Sequence, residues 1–175
     1  MRINDYFNSL LLILLAKINK LSVLEELYKK ISVPYEVYAE VVSKGKKENY
    51  GDAALIEKHI NEFIFVMNIN AEHKKEAEKL KNIIGSGESE AIALCLQENG
   101  KLLLIDNLEP RKIAQTKGIK CRSTPGILLE AFKRKVITFN EYESAIKELS
   151  KYAWLSGDIV AYFLEKGYKV KGELK

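Results

Sequence analysis

The chain alternates between short apolar runs and longer segments in which apolar residues recur at helical spacing. Runs rich in apolar and β-branched residues predict strands at residues 3–7, 31–33, 63–68, 102–105 and 119–121. The segments between and after them predict helices at residues 9–18, 23–30, 34–44, 52–62, 72–84, 88–97, 110–116, 125–133, 140–152 and 158–166. Strands separated by helices of this length favour parallel β–α units. We therefore predict an α/β fold of three layers, α/β/α, with a mainly parallel sheet of four to five strands in a single domain over residues 1–175.

The apolar segment at residues 9–16, SLLLILLA, has two possible interpretations. It is similar in length to the hydrophobic part of a signal peptide, but Asp5 precedes it and Lys17 and Lys20 follow it directly. Eight apolar residues are also too few to cross a bilayer. We predict a buried first helix in a cytoplasmic protein without a membrane segment.

Composition narrows the chemistry only slightly. The chain is 47% apolar and 30% charged with a formal net charge of +4, which permits nucleic-acid binding without indicating it. Cys95 and Cys121 lie in apolar runs without CxxC spacing, so we expect reduced thiols in the core. His59 and His73 stand alone in polar stretches, which argues against a zinc site.

Acidic and amide side chains cluster where a parallel sheet binds its ligands, outside the carboxyl ends of the strands. The residues at these positions are Asn8, Glu40, Glu88, Glu90, Asp106 and Asn107. Several carboxylates without His or Cys favour a hard cation such as Mg²⁺ or Mn²⁺. Such an ion can activate water and neutralise charge during cleavage of a phosphodiester.

Each position also has an ordinary structural interpretation. Asn8 can cap the first helix, and the negative charge of Glu88 can interact favourably with the dipole of its own helix. Glu40 can be a solvated helix residue, and Asp106 with Asn107 can form an Asx turn. The apolar stretch AIALCL follows Glu90, so this carboxylate has the fewest structural explanations. The two glutamates of one helix lie about 200° apart, and we expect Glu90 rather than Glu88 to face the site.

Several strings in the chain resemble one branch of the PIN-domain superfamily, the VapC-like nuclease fold. They are NSLLLILLAKINKL from Asn8, VPYEVYAEV at residues 33–41, GSGESEAIALCL from Gly85, LLLIDNLEPRKIA, CRSTPGILL and YAWLSGDI. The order and spacing of these strings match that branch over nearly the whole chain. Its members are mostly described as predicted nucleic-acid-binding proteins.

The resemblance implies a nuclease that cuts RNA with Mg²⁺ or Mn²⁺, as many bacterial and archaeal PIN toxins do. It also implies a small antitoxin protein as a possible partner, and a homodimer. The residues that it assigns are Asn8, Glu40, Glu90 and Asp106 as metal ligands, with Glu40, Glu90 and Asp106 catalytic, Ser9 and Arg111 near the substrate, and Glu88 and Asn107 as accessory positions.

The chain departs from the family pattern at the site itself. Asn8 stands where an aspartate is usual, Asn107 replaces the second aspartate of a pair, and Leu10 and Leu11 replace a Ser-Pro. Neutral amides weaken cation binding, so a degenerate PIN domain that binds RNA or protein without cutting is the alternative hypothesis. A structural or regulatory α/β domain is a third hypothesis. A loop lysine cluster, Lys44, Lys46 and Lys47, could contact phosphate or could simply be solvated charge.

Overall fold

The computed structural model describes residues 5–174, and residues 3 and 4 of the first predicted strand lie outside this range. Five parallel strands form one sheet: β1 (Asp5–Phe7), β2 (Ile31–Pro34), β3 (Ile64–Met67), β4 (Leu102–Leu104) and β5 (Lys120–Arg122). Their order is β3-β2-β1-β4-β5, with Tyr6 opposite both Ser32 and Leu103. This arrangement confirms the predicted α/β class, because every neighbouring pair is parallel and is connected through helices.

Helices surround the sheet on both faces. Their bounds are α1 (Ser9–Lys17), α2 (Ser22–Tyr28), α3 (Tyr35–Tyr38), a π-helical segment (Ala39–Lys44), α4 (Gly45–Lys47), α5 (Gly51–Lys58), α6 (Ala71–Lys81), α7 (Ser86–Gln97), α8 (Leu108–Thr116), α9 (Thr124–Lys133), α10 (Phe139–Leu149) and α11 (Gly157–Glu173). The side chains of successive strand residues alternate between these two layers. Phe7 and Leu104 belong to one apolar cluster and Tyr6 and Leu103 to the other.

Several helix ends differ from the predicted ones by one to seven residues, and at two of them a glycine serves packing instead of termination. Gly45 keeps helical dihedral angles, and a Cβ there would lie 2.8 Å from Cβ of Ala53, so the chain continues into α4. Gly167 lies against the ring of Tyr142, and α11 continues past residue 166 to Glu173. A glycine within a helix permits this close approach of a neighbouring helix or ring.

The predicted core is largely correct. Ile92, Ala93 and Cys95 are fully buried in α7, but Leu96 is only partly buried, because Leu94 takes the inward position. The apolar segment at residues 9–16 forms the buried helix α1, as predicted. Within residues 5–174, none of the helices has the length and apolar character needed to cross a membrane.

Candidate metal and nucleic-acid site

Asn8 lies at the junction of β1 and α1 and is fully buried. Its backbone N–H donates to the carbonyl of Leu104 at 3.3 Å, which ties the junction to the end of β4. Its side-chain Oδ1 accepts from the backbone N–H of Leu11 at 3.3 Å and so caps α1. Its Nδ2 is buried and has no hydrogen-bond partner among the described residues. Asn8 therefore offers one amide oxygen with a free lone pair and an amide nitrogen whose two N–H donors are unused.

Glu40 lies in the π-helical segment and reaches toward the first turn of α7. A Cβ built at Gly87 would lie 3.0 Å from Oε2 of Glu40, 3.2 Å from Cγ2 of Val37 and 3.9 Å from Oγ of Ser9. The missing side chain at Gly87 thus makes room for the Glu40 carboxylate beside α7. Single π-helical turns recur at functional sites because they redirect side chains.

Glu88 belongs to the same first turn of α7, and its side chain faces the end of β4. Its Oε2 accepts from the backbone N–H of Gly85 at 3.2 Å, and its Oε1 accepts a short hydrogen bond from Nδ2 of Asn107. Asn107 directly precedes α8, so this bond connects the starts of two helices. The Glu88 carboxylate is held in place by donors, as a preorganised ligand would be.

These side chains line one cavity, which we call the polar cleft. Its volume is about 630 Å³, and the residues with chemistry of interest in its wall are Asn8, Ser9, Glu36, Glu40, Lys44, Glu88 and Asn107. Lys44 is the one member of the loop lysine cluster in this wall, whereas Lys46 pairs with Glu57 at 2.9 Å. The cleft combines three carboxylates, two amides, two serine hydroxyls (the second from Ser86) and a cation.

Glu88 lines the polar cleft and Glu90 does not, whereas we expected Glu90 rather than Glu88 to face the site. The close contact of Gly87 with Glu40 sets the rotation of α7, and this rotation turns Glu88 toward Asn107. Glu90 instead accepts from the backbone N–H of Glu36 at 3.4 Å, at the start of α3. Burial is the main cause of the raised pKa of the Glu90 carboxyl, and the negative charge of nearby Glu36 raises this pKa further.

Asp106 and Arg111 also lie outside the polar cleft, in a neighbouring cavity. Both carboxylate oxygens of Asp106 are bound by Thr124, through the backbone N–H at 2.8 Å and the hydroxyl at 2.5 Å. Burial raises the pKa of Asp106, although the Thr124 donors and the Arg111 charge oppose that shift. Arg111 donates from Nη2 to the carbonyls of Ile105 at 2.9 Å and Asp106 at 3.2 Å. Its Nε is buried and unpartnered within the described part of the chain.

The neighbouring cavity is larger, about 730 Å³, and we call it the aromatic groove after Tyr152, Trp154, Tyr162 and Phe163. Leu10 and Asn107 line both the polar cleft and the aromatic groove, so the two are adjacent. The predicted site residues are therefore divided: Asn8, Ser9, Glu40, Glu88 and Asn107 meet in the cleft, and Asp106 and Arg111 lie in the groove.

Two contributors were missing from the sequence-based site. Gly87 was assigned no role in the site, although its place between Ser86 and Glu88 in the GSGES string could have indicated a close approach. Thr124 was not assigned a role, and its only signal was its place in the CRSTPGILL string. Neither role can be derived from spacing alone, because both depend on contacts with distant elements.

The donors in the polar cleft fit a hard cation bound mainly through water. Mg²⁺ is commonly held by one or two carboxylates and keeps several water ligands. Glu40 and Glu88 can supply the carboxylates, and the Gly87 gap keeps the Glu40 oxygen close. Within residues 5–174, no three His, Cys, Asp or Glu side chains come together in a metal-binding group, so an ion held by these two carboxylates would take its other ligands from amide oxygens and water.

Comparison with known proteins agrees with this architecture. No curated protein and no solved structure matched the chain significantly. A family profile described as a PIN domain matches residues 6–167, which include the whole polar cleft and every strand residue except Asp5 of β1. With a nuclease-type fold and a match over most of its length, the chain belongs to the PIN-domain family.

Proposed function

We propose that the protein is a metal-dependent ribonuclease that cuts phosphodiester bonds in the polar cleft with Mg²⁺ or Mn²⁺. The observation that carries the proposal is the gap at Gly87, which keeps the Glu40 carboxylate against the first turn of α7, where Glu88 begins. In this proposal Glu40 and Glu88 hold the ion, assisted by the amide oxygens of Asn8 and Asn107. When bound, the ion would supply an activated water and would neutralise phosphate charge.

The other polar residues of the cleft would position the RNA. Lys44 lies in the cleft wall and can attract a phosphate, and the Ser9 hydroxyl can donate to a phosphate oxygen. Arg111, in the adjacent groove, can contact the next phosphate through its remaining donors. Glu90 and Asp106 act indirectly in this proposal: Glu90 holds the start of α3, and Asp106 holds the start of α9.

The test is cleavage of a single-stranded RNA while Mn²⁺ is titrated against four variants. We expect Glu40→Gln and Glu88→Gln to lose more than about 100-fold in rate, because each removes a direct ligand. Glu90→Gln and Asp106→Asn should lose about 10-fold to 100-fold, as residues that support ligands do. Glu72→Gln, an exposed acid in the first turn of α6, is the control and should cleave normally. If Glu90→Gln and Asp106→Asn abolish cleavage while Glu88→Gln does not, the ligand set predicted from the sequence is the better one.

A second candidate function is a PIN domain that binds RNA or protein without cutting. The buried, unpartnered Nδ2 of Asn8 favours it, because a donor in this position repels a cation and suits a phosphate oxygen. This candidate predicts that RNA binding is equally tight in EDTA and in Mn²⁺, with no cleavage at any Mn²⁺ concentration. Metal-dependent cleavage by the wild-type protein would exclude it.

We further propose three finer properties that rest on family membership: a toxin role with a small antitoxin protein, a homodimer, and a cytoplasmic location. Cys95 and Cys121 form no disulfide, which suits a reducing compartment. Growth arrest on expression, relieved by a co-expressed small neighbouring protein, would support the toxin role. Sedimentation of the purified chain would test the homodimer.

A further inference from the structure

The aromatic groove has a property that the cleavage chemistry does not use: its rim carries aromatic rings that are open to solvent. The indole of Trp154 is fully exposed at 105%, and Tyr152 and Tyr162 are 48% and 52% exposed. Trp154 lies in the loop between α10 and α11, and Tyr162 lies on α11. A single exposed ring is ordinary on a protein surface, but several exposed rings that line one cavity are a feature of ligand-binding grooves.

Charge around the rim favours a polyanion. Nζ of Lys166 lies 5.0 Å from the ring centre of Tyr162 and is the main cation of the rim. Nζ of Lys17 lies 5.8 Å from the ring centre of Tyr152, but it is also 3.8 Å from Oδ1 of Asp52. Arg111 lines the floor. Two acids share the groove, but Asp106 is bound to Thr124, and Asp158 lies in the first turn of α11, where the helix dipole attracts it. Aromatic rings interleaved with cations are typical of surfaces that bind single-stranded nucleic acid.

Continuity with the polar cleft indicates which molecule would occupy the groove. Leu10 and Asn107 belong to both walls, so a strand whose phosphate lies beside Glu40 and Glu88 can continue directly into the groove. A volume of about 730 Å³ lies within the range of pockets that enclose a small organic ligand, and a nucleobase is of that class. A protein partner could bind the aromatic groove without reaching the polar cleft, so the shared wall favours an RNA strand.

We propose that the aromatic groove is a base-stacking subsite, in which an unpaired RNA base next to the cleaved bond stacks on Trp154, supported by Tyr162. The proposal rests on the proposed ribonuclease function, because it places the same RNA strand across the cleft and the groove. It makes single-stranded RNA the substrate class, since duplex pairing hides the faces of the bases.

The single Trp in the chain makes the test direct, because all tryptophan fluorescence comes from Trp154. The wild-type protein in EDTA is titrated with a single-stranded oligouridylate of about eight nucleotides and, separately, with an RNA duplex of the same length. We expect the single strand to quench the emission as it binds, and the duplex to leave it unchanged at the same concentrations.

Anisotropy of labelled RNA measures the affinity of the variants. Trp154→Ala should weaken binding by about 5-fold to about 150-fold, the range for loss of one stacked base. Tyr162→Ala should weaken it less, and Trp154→Phe should retain most of the affinity. The control is Tyr168→Ala: Tyr168 is 53% exposed on the same helix but outside the groove, so binding should not change.

The outcomes separate this proposal from the ribonuclease function. If RNA binds with no change in emission and Trp154→Ala binds normally, stacking is refuted while the cleavage proposal survives. If the wild-type protein cleaves no RNA in Mn²⁺ yet the emission is quenched in EDTA, the subsite stands without the nuclease. If the emission depends on protein concentration and Trp154→Ala dissociates an oligomer, a second copy of the chain covers the groove, and the proposal is overturned.

Discussion

Asn8 shows how one amide can decide between an active and a weakened site. Its Oδ1 caps α1 while its Nδ2 remains buried without a partner among the described residues. An aspartate would keep the cap and would replace the unused donor with a charged acceptor. A carboxylate of the same shape would therefore fit at residue 8, but the chain has a neutral amide there.

We predict that Asn8→Asp raises Mn²⁺ affinity by at least about tenfold, because a unit charge within a few ångströms of the ion contributes several kcal/mol at an intermediate effective dielectric. RNA cleavage should rise with it, and Glu88→Gln in the same background should abolish the gain. Calorimetric titration of Mn²⁺ and a cleavage assay provide the measurements. Asn70→Asp is the matched control, because Asn70 caps α6 through His73 in the same way and lies outside the cleft. Unchanged Mn²⁺ binding in Asn8→Asp would show that Asn8 is not a ligand.

Gly87 allows a second prediction at the level of one residue. Replacing a helical glycine by alanine usually stabilises a helix by about 1 kcal/mol. At residue 87 the new methyl group would lie 3.0 Å from Oε2 of Glu40, so the carboxylate must move. Gly87→Ala should therefore weaken Mn²⁺ binding, and it should not show the usual gain in unfolding free energy. Thermal unfolding without Mn²⁺ measures the stability, and the shift on adding Mn²⁺ measures the binding. Gly172→Ala meets no neighbouring atom and lies one residue before the end of α11, so it should give a smaller gain and leave Mn²⁺ binding unchanged.

The contact between α7 and α3 carries a prediction about pH. Burial raises the pKa of Glu90 above its ordinary value of 4.5, so the folded state holds this proton more tightly than the unfolded state does. The stabilisation from the protonated form is present below about pH 4.5 and is lost as the pH rises through the folded pKa. Glu90→Gln removes the ionisable group, so the folded state no longer loses stability as the pH rises. The glutamine oxygen still provides an acceptor for the Glu36 N–H.

Urea unfolding measures the difference in unfolding free energy between Glu90→Gln and the wild type. We expect the variant to gain relative to the wild type as the pH rises above about 4.5. The same substitution at the exposed Glu72 is the control. A difference that does not change with pH would mean that the Glu90 environment is not desolvated.

The strand β4 allows a prediction about packing. Leu103 is fully buried in the cluster that includes Ile92 and Cys95, between β1 and β5. Leu103→Ala should lower the unfolding free energy by about 2–5 kcal/mol, as other deletions of buried leucine side chains do. Leu102→Ala, on the same strand but only partly buried, should cost less. A loss below about 1 kcal/mol at Leu103 would contradict a central position for β4.

The elements were predictable because each leaves a local pattern. The strand at Leu102–Leu104 is a short apolar run, and α7 is a long one that begins at a glycine break. The rotation of α7 was not predictable, because it depends on Gly87 meeting Glu40, far away in sequence. That rotation decided which of Glu88 and Glu90 faces the cleft. For the same reason Gly45 was wrongly predicted to end a helix, since only its contact with Ala53 explains it.

At the scale of the molecule, β1 and β4 connect the two apolar clusters. Phe7 and Leu104 point into one cluster, and Tyr6 and Leu103 point into the other. Loss of either strand would expose both faces of the sheet at once. We therefore propose that the chain unfolds as one cooperative domain.

This proposal predicts one transition in urea, with the same midpoint for helix content by far-ultraviolet circular dichroism and for tyrosine packing by near-ultraviolet circular dichroism. Tyr6 and Tyr142 are fully buried on different faces of the sheet, so the tyrosine signal reports on both. Trp154 fluorescence is unsuited to this measurement because the ring is already exposed. Two separate midpoints would indicate two units.

The position of the first described strand has a consequence for synthesis on the ribosome. β1 lies at the centre of the sheet, and its partner on one side is β4, with Asp5 opposite Leu102. A nascent chain must therefore extend past residue 104 before the middle of the sheet can close. Until then, α1 carries leucines that the finished protein buries completely, including Leu11 and Leu15. Because such distant pairings form slowly and leave apolar surface open meanwhile, we expect the chain to be most prone to aggregation while only its N-terminal half has emerged.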